Sequence, residues 1–176
     1  GDVSKRQDIR RVELELWKKI RTMARKGRRT GLGITAEGDM LAALGLRYGT
    51  PEATAFAVKV QKTLALEAYR ASVKMAAERG AFEIFDARKE EKNPMIGRIR
   101  EADPELYAEM VKHGRRNIAM LTIAPTGTTS LMSQTTSGIE PVFRPVYKRR
   151  RKINPSDQDA KVAFVDDMGE KFEEYN

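Results

Sequence analysis

Residues 118–124 read Ile-Ala-Met-Leu-Thr-Ile-Ala, a nearly continuous apolar run bounded by Asn117 and Pro125. A short apolar run of that kind is the pattern of a strand buried on both faces, and such strands belong to parallel sheets covered by helices. The remainder of the chain is rich in helical patterning. Behind a Ser4-x-x-Gln7 capping box, Ile9, Val12, Leu16, Ile20 and Met23 recur at three- and four-residue steps, and Gly27 is placed to stop that helix. Its apolar stripe is expected to pack on a core. A short helix is expected over residues 36–44, with Met40, Leu41 and Leu44 inward. Thr50-Pro51-Glu52 and Asp103-Pro104-Glu105 are both helix starts: an N-cap side chain, proline at the first helical position, an acid in the first turn. The first of these opens a long helix with Ala53, Ala57, Val60, Leu64, Ala68, Ala71 and Met75 on one face. Residues 81–85 read as extended, and Asp86 as the cap of a charged turn ended by Pro94. The fold class implied is α/β, helix-rich in this portion.

The 176 residues allow one domain with a core. With 40% hydrophobic and 33% charged residues the composition is that of a polar-surfaced globular chain. No apolar run approaches the roughly 20 residues that span a bilayer, and the first residues alternate charge and apolarity without a leader-like core. A cytoplasmic chain with no membrane partner is the expectation. There is no cysteine, which excludes disulfides, thiolate metal sites and thiol catalysis within this chain. The single histidine, His113, sits just before Gly114 at the end of a helix, where a hydrogen-bonding or cationic role is ordinary. No metal ligand and no catalytic residue is therefore assigned.

Thirty-three basic against 25 acidic residues give a formal charge of +8. That excess suits an anionic partner: a nucleotide, a nucleic acid or an acidic protein surface. The apolar run leads directly into Pro125-Thr126-Gly127-Thr128-Thr129-Ser130. Ligands of α/β proteins bind beyond the carboxyl ends of strands. Pro125 breaks the strand, Gly127 permits close approach, and the hydroxyls at 126, 128, 129 and 130 are hydrogen-bond donors. A helix beginning near Thr128 would aim free amides and its positive end at the same point. The glycine and lysine spacing of a P-loop is missing. On spacing alone, a phosphate cradle and an ordinary helix turn capped by hydroxyls both stand.

Several further runs belong beside this one. They are Gly27-Arg28-Arg29-Thr30-Gly31-Leu32-Gly33-Ile34-Thr35 with Gly38-Asp39, Ala68-Tyr69-Arg70-Ala71-Ser72, Glu78-Arg79-Gly80-Ala81-Phe82, and Thr136-Ser137-Gly138-Ile139-Glu140-Pro141-Val142-Phe143. Together, and in this order, they resemble the C-terminal part of the catalytic barrel of ribonucleotide reductases. The run Tyr147-Lys148-Arg149-Arg150-Arg151 brings the likeness nearest to the adenosylcobalamin-dependent class. The resemblance implies part of a ten-stranded α/β barrel, with residues 1–176 a single partial domain and 149–176 a polar tail. It implies reduction of a ribonucleotide to a deoxyribonucleotide in the complete enzyme, with adenosylcobalamin as cofactor and the missing N-terminal part of the reductase as partner. By the same resemblance Pro125, Thr126, Gly127, Thr128, Thr129 and Ser130 bind the substrate's phosphates. The family's radical and redox cysteines have no counterpart here, and its catalytic glutamate is not transferred to Glu140. This chain alone is expected to be inactive. The rival reading is a basic nucleic-acid-binding module using residues 148–152, although only Phe143 and Tyr147 lie near as stacking aromatics.

Overall fold

The computed structural model describes residues 2–154, 156, 157 and 159–175. Seven helices precede a small sheet: α1 (Asp2–Gly27), α2 (Glu37–Ala43), α3 (Pro51–Arg79), α4 (Ala87–Glu90), α5 (Pro94–Ala102), α6 (Pro104–His113) and α7 (Gly127–Ser133), then β1 (Arg149–Lys152), β2 (Phe164–Val165) and β3 (Lys171–Tyr175). The helix starts follow local chemistry. Thr50 Oγ1 accepts from the Ala53 amide at 3.3 Å and Asp103 Oδ1 from the Leu106 amide at 2.9 Å, each with proline at the first helical position. Pro94, expected as a stop, is instead a start: Asn93 Oδ1 accepts from the Met95 amide at 2.9 Å and α5 follows. Residues 81–85 are extended only briefly, before a turn in which the Phe85 amide donates to the Phe82 carbonyl.

The core is the junction of α3, α5 and α6. Tyr69 and Val73 meet Ile96, Ile99, Leu106 and Met110, and Met120 comes in from the apolar run. Along α3 Ala53 is buried and Ala57, Val60, Leu64 and Ala68 are half-buried, as expected, but towards the C-terminal end Tyr69, Ser72, Val73 and Ala76 form the buried face and Ala71 and Met75 are exposed. On α2, Leu41 is buried and Leu44 is exposed, so Leu44 is corrected to the outer face.

The largest departure is α1. Its backbone is helical from Asp2, upstream of Ser4, and the Ser4 side chain, with the expected capping box, lies outside the described residues. Ile9, Val12, Leu16, Trp17, Ile20 and Met23 are all exposed, so the stripe packs on no core within this chain. Gly27 is the last helical residue rather than the residue beyond it, and Arg28 takes the left-handed conformation (φ 48°). Gly27 is buried because a Cβ there would lie 3.1 Å from Ile118 Cγ2.

Residues 118–122 run parallel to residues 27–33. The Ile118 amide donates to Gly27 O, the Thr30 amide to Ala119 O, and the Thr122 amide to Leu32 O, at 2.8–2.9 Å. Gly31 and Gly33 are required by this pairing, since a Cβ at Gly33 would fall 2.3 Å from the Thr122 carbonyl oxygen. The expected strand is thus extended and parallel, but only the Leu32–Leu121 bridge is regular. Met120 is buried while Ile123 is 65% exposed. Burial on both faces is therefore corrected: one neighbouring segment and one helical layer cover one side.

Residues 149–175, expected as a polar tail, form a three-stranded antiparallel sheet in the order β1-β3-β2. Arg150 lies opposite Glu174 and Arg151 opposite Glu173, so opposite charges meet across the strands. No helix among the described residues is long and apolar enough to cross a membrane.

Candidate phosphate-binding loop

Three buried contacts fix where the apolar run begins. The Ser72 hydroxyl, fully buried on α3, donates to Asn117 Oδ1 at 2.9 Å and accepts from the Asn117 amide at 3.1 Å. Asn117 Nδ2 donates to the Arg28 carbonyl at 2.8 Å, joining the two parallel segments. Arg115, 2% exposed, forms a two-pronged ion pair with Glu90 of α4 and donates to the carbonyls of Asn117 (3.1 Å) and Ile118 (3.2 Å). Its guanidinium lies 5.4–5.8 Å from the rings of Tyr69, Phe82 and Phe85. A desolvated charge is tolerable there because its donors are matched and aromatic faces surround it.

The run leaves this anchor and reaches Pro125, after which Thr126 (φ −110°, ψ 34°) opens α7. Thr126 occupies the N-cap position, yet its side chain makes no capping hydrogen bond. Its hydroxyl is engaged elsewhere: it accepts from the Gly138 amide at 2.7 Å and lies 2.8 Å from Thr35 Oγ1 and 3.4 Å from Ser137 Oγ. Thr35 Oγ1 in turn donates to the Thr136 carbonyl at 3.1 Å, and the Thr126 amide donates to Ser137 Oγ at 3.3 Å. This knot of hydroxyls ties the loop to the segment before α2 and to residues 136–138. Asp39 of α2 reinforces it by accepting from the Thr136 amide at 2.8 Å. Gly38 lets the backbone of Glu140 and Pro141 cross α2, because a Cβ there would sit 2.5 Å from the Glu140 carbonyl oxygen.

Four hydroxyls were expected to face a ligand, and the structure separates them. Thr126 belongs to the knot, and Ser130 is buried with its hydroxyl donating to the Gly127 carbonyl at 2.8 Å. Thr128 and Thr129 are exposed, and neither hydroxyl has a protein partner among the described residues. The amides of Gly127, Thr128 and Thr129 are the unpaired donors of the first turn, and the first intrahelical-type bond is that of the Ser130 amide to Thr126 O at 2.8 Å. Gly127 faces open space, with nothing within 4 Å of the position its Cβ would take. The hydroxyl at the cap position is not capping, and the three amides and two hydroxyls are left without protein partners among the described residues. A cleft of about 600 Å³ between α3 and α5, lined by Val58, Leu66, Met95 and Ile99, shares no residue with the loop.

The other sequence candidates fall into the scaffold. In the basic stretch 148–152, Lys148 and Arg150 pair with Glu174 at 3.9 and 2.7 Å, Arg151 pairs with Glu173 at 2.6 Å, and Lys152 pairs with Glu170. The hydrogen bond that Arg150 donates holds the Glu174 carboxyl below the usual range, and the one that Arg151 donates to Glu173 raises the Arg151 guanidinium. Four of the five cations of the stretch are thus paired with carboxylates of the sheet, and Arg149 is the exception, donating instead to the Tyr147 hydroxyl at 2.9 Å. His113 Nε2 lies 3.4 Å from Glu109 Oε2 on its own helix. Thr35, Asp39 and Ser137 lie within the runs that carry the family resemblance, which is the one sequence signal for them, since spacing assigns them no role.

A loop that follows an extended parallel segment and opens a helix lies where α/β proteins place ligands. Comparison with known proteins is more specific. The family model described as ribonucleotide reductase, barrel domain, matches residues 9–170. The chain is 36% identical over 127 residues to the vitamin B12-dependent ribonucleoside-diphosphate reductase of Mycobacterium tuberculosis (strain CDC 1551 / Oshkosh), covering 72% of this chain and 16% of that protein. It is 33% identical over 142 residues to the protein of that name from Thermoplasma acidophilum, covering 81% of this chain and 16% of the relative. With the ribonucleoside-diphosphate reductase subunit alpha of Treponema pallidum it shares 30% identity over 134 residues, 71% of this chain and 15% of the relative. This chain belongs to the ribonucleotide reductase barrel-domain family. It spans 15–16% of the length of these relatives.

Proposed function

We propose that this chain supplies the substrate phosphate-binding loop of a vitamin B12-dependent ribonucleotide reductase. One observation carries the reading: the amides of Gly127, Thr128 and Thr129 are unpaired beside two unengaged hydroxyls, on a loop whose cap hydroxyl is tied into the fold. The ligand's phosphate would take hydrogen bonds from those groups, with Pro125, Thr126 and Ser130 holding their shape. In the complete enzyme residues 1–176 act as a single partial domain, one extended segment and a helical layer of a ten-stranded α/β barrel. The same reading carries a cytoplasmic setting and, as partner, the rest of the reductase.

The cofactor is named by the relatives, and adenosylcobalamin is the form the reading assigns to the complete enzyme. Such a group supplies the radical that starts reduction of a ribose. The chain contains no cysteine, so the thiol chemistry of the reaction lies with residues outside it. No step is drawn through the cofactor. What this chain does is hold the substrate's anionic end.

Calorimetric titration of cytidine 5′-diphosphate into the 176-residue chain and its Gly127→Ala variant tests the reading. The added methyl meets no protein atom within 4 Å, so the fold accepts it. That methyl stands in the open space in front of the loop and holds a phosphate off the amides, and loss of even one charge-assisted amide bond corresponds to roughly tenfold in affinity. Equal binding by the two proteins would count against the loop.

A further inference from the structure

Helix α1 stands out from the rest of the molecule. Every residue from Arg6 to Arg25 is exposed, and the first buried one is Gly27, which packs on Ile118. A lone helix in water is marginal, and most helices in proteins are held by burying an apolar face. That face is present on α1: Ile9, Val12, Leu16, Ile20 and Met23 are 46–66% exposed.

The shape of the face says what fits it. At about 100° per residue these five side chains occupy a strip only ~80° wide and ~21 Å long. A helix lying on a broad core shows a stripe of about 100° or more, whereas the narrower seam is that of two helices packed along each other. The seam also reads the same from both ends. Going outward from Leu16 in either direction, the apolar positions recur after four and then three residues. A two-fold axis at Leu16 therefore sets Ile9 of one helix against Met23 of the other, Val12 against Ile20, and Leu16 against itself.

The charges of α1 divide at the same point. Its carboxylates, Asp8, Glu13 and Glu15 among them, all precede Leu16, while Lys18, Lys19, Arg21, Arg25 and Lys26 follow it with no acid between them. Parallel pairing would stack one basic half on the other. Antiparallel pairing lays each basic half along the half that bears the acids and opposes the two helix dipoles. Charge thus selects the arrangement that the apolar spacing permits.

We propose that the apolar seam of α1 is a docking surface for a second copy of this chain, the two helices packing antiparallel about Leu16. The inference does not draw on the phosphate-loop reading, since no seam residue belongs to the loop or to the core at α3, α5 and α6.

Sedimentation equilibrium of the 176-residue chain over a concentration series tests it. The unaltered chain reaches the mass of a dimer, and Leu16→Glu stays a monomer at every concentration. Leu14→Glu, which puts the same charge on the far side of α1, keeps the dimer. The chain contains no cysteine, so an introduced thiol reports its own position. Under copper-catalysed air oxidation, a mixture of Ile9→Cys and Met23→Cys chains gives a disulfide-linked mixed dimer, while Ile9→Cys alone gives little. An unaltered chain that stays monomeric, the result if the remainder of a reductase is what covers this face, overturns the proposal. So does a Leu16→Glu protein that associates as the unaltered chain does, or an Ile9→Cys chain that cross-links with itself as readily as with Met23→Cys.

Discussion

Replacing Thr126 by valine removes one hydroxyl and keeps the shape of the side chain. The Gly138 amide, which donates to that hydroxyl at 2.7 Å, belongs to a buried residue and would be left without an acceptor. An unsatisfied buried donor costs roughly 1–3 kcal/mol. Thr35 loses a partner at 2.8 Å but keeps the Thr136 carbonyl at 3.1 Å, and the Thr126 amide keeps Ser137, so these add little. The sum is about 2 kcal/mol, which for a chain of this size lowers the melting temperature by about 4–8 °C. Thr126→Ser returns the hydroxyl and restores most of that loss. Circular dichroism melts of the three proteins provide the assay. A Thr126→Val protein within ~0.5 kcal/mol of the unaltered chain, or a serine variant no more stable than the valine one, would refute the assignment of this hydroxyl to the fold.

Arg115→Met strands the Glu90 carboxylate and removes the donors from the carbonyls of Asn117 and Ile118, so a loss of about 3–5 kcal/mol in urea unfolding is expected; a loss below ~1 kcal/mol would place the pair among ordinary surface contacts. Asp103 titrates below the usual carboxylate range because the Leu106 amide, and after it Arg70, hold its charged form. A depressed folded pKa gives stability that is complete above the unfolded value near ~3.9 and is lost as pH falls through the folded one. Asp103→Asn therefore flattens the acid limb of melting temperature against pH, and an unchanged acid limb would contradict the linkage.

What could be read in the sequence was what local chemistry decides. Thr50-Pro51 and Asp103-Pro104 open helices because cap and proline act within one turn, and Asp86 caps α4 for the same reason. Asn93-Pro94 carries the same signal, yet after a charged turn it reads equally as a stop, since proline serves at either end of a helix. The extended run at 118–122 was legible as a pattern, but its exposure was not, because burial depends on what lies on each side and not on the run itself. The β1–β3 pairing was hidden beneath charge: Arg149-Arg150-Arg151-Lys152 shows no apolar alternation, and its complement lies about 20 residues away in Lys171–Tyr175. Of the loop, spacing gave the open amides and the role of Gly127. It could not show that Thr126 is bound to Gly138, 12 residues on, and is therefore a fixing residue, while Thr128 and Thr129 remain free.

The central claim is that residues 127–129 hold a phosphate, and backbone amide NMR reads it at those atoms. Titrating cytidine 5′-diphosphate into the isotopically labelled chain, the amides of Gly127, Thr128 and Thr129 should shift together, saturate at one affinity, and stop responding in Gly127→Ala. Shifts confined to the charge-paired stretch 148–152, or none at the three amides under saturating ligand, would contradict it.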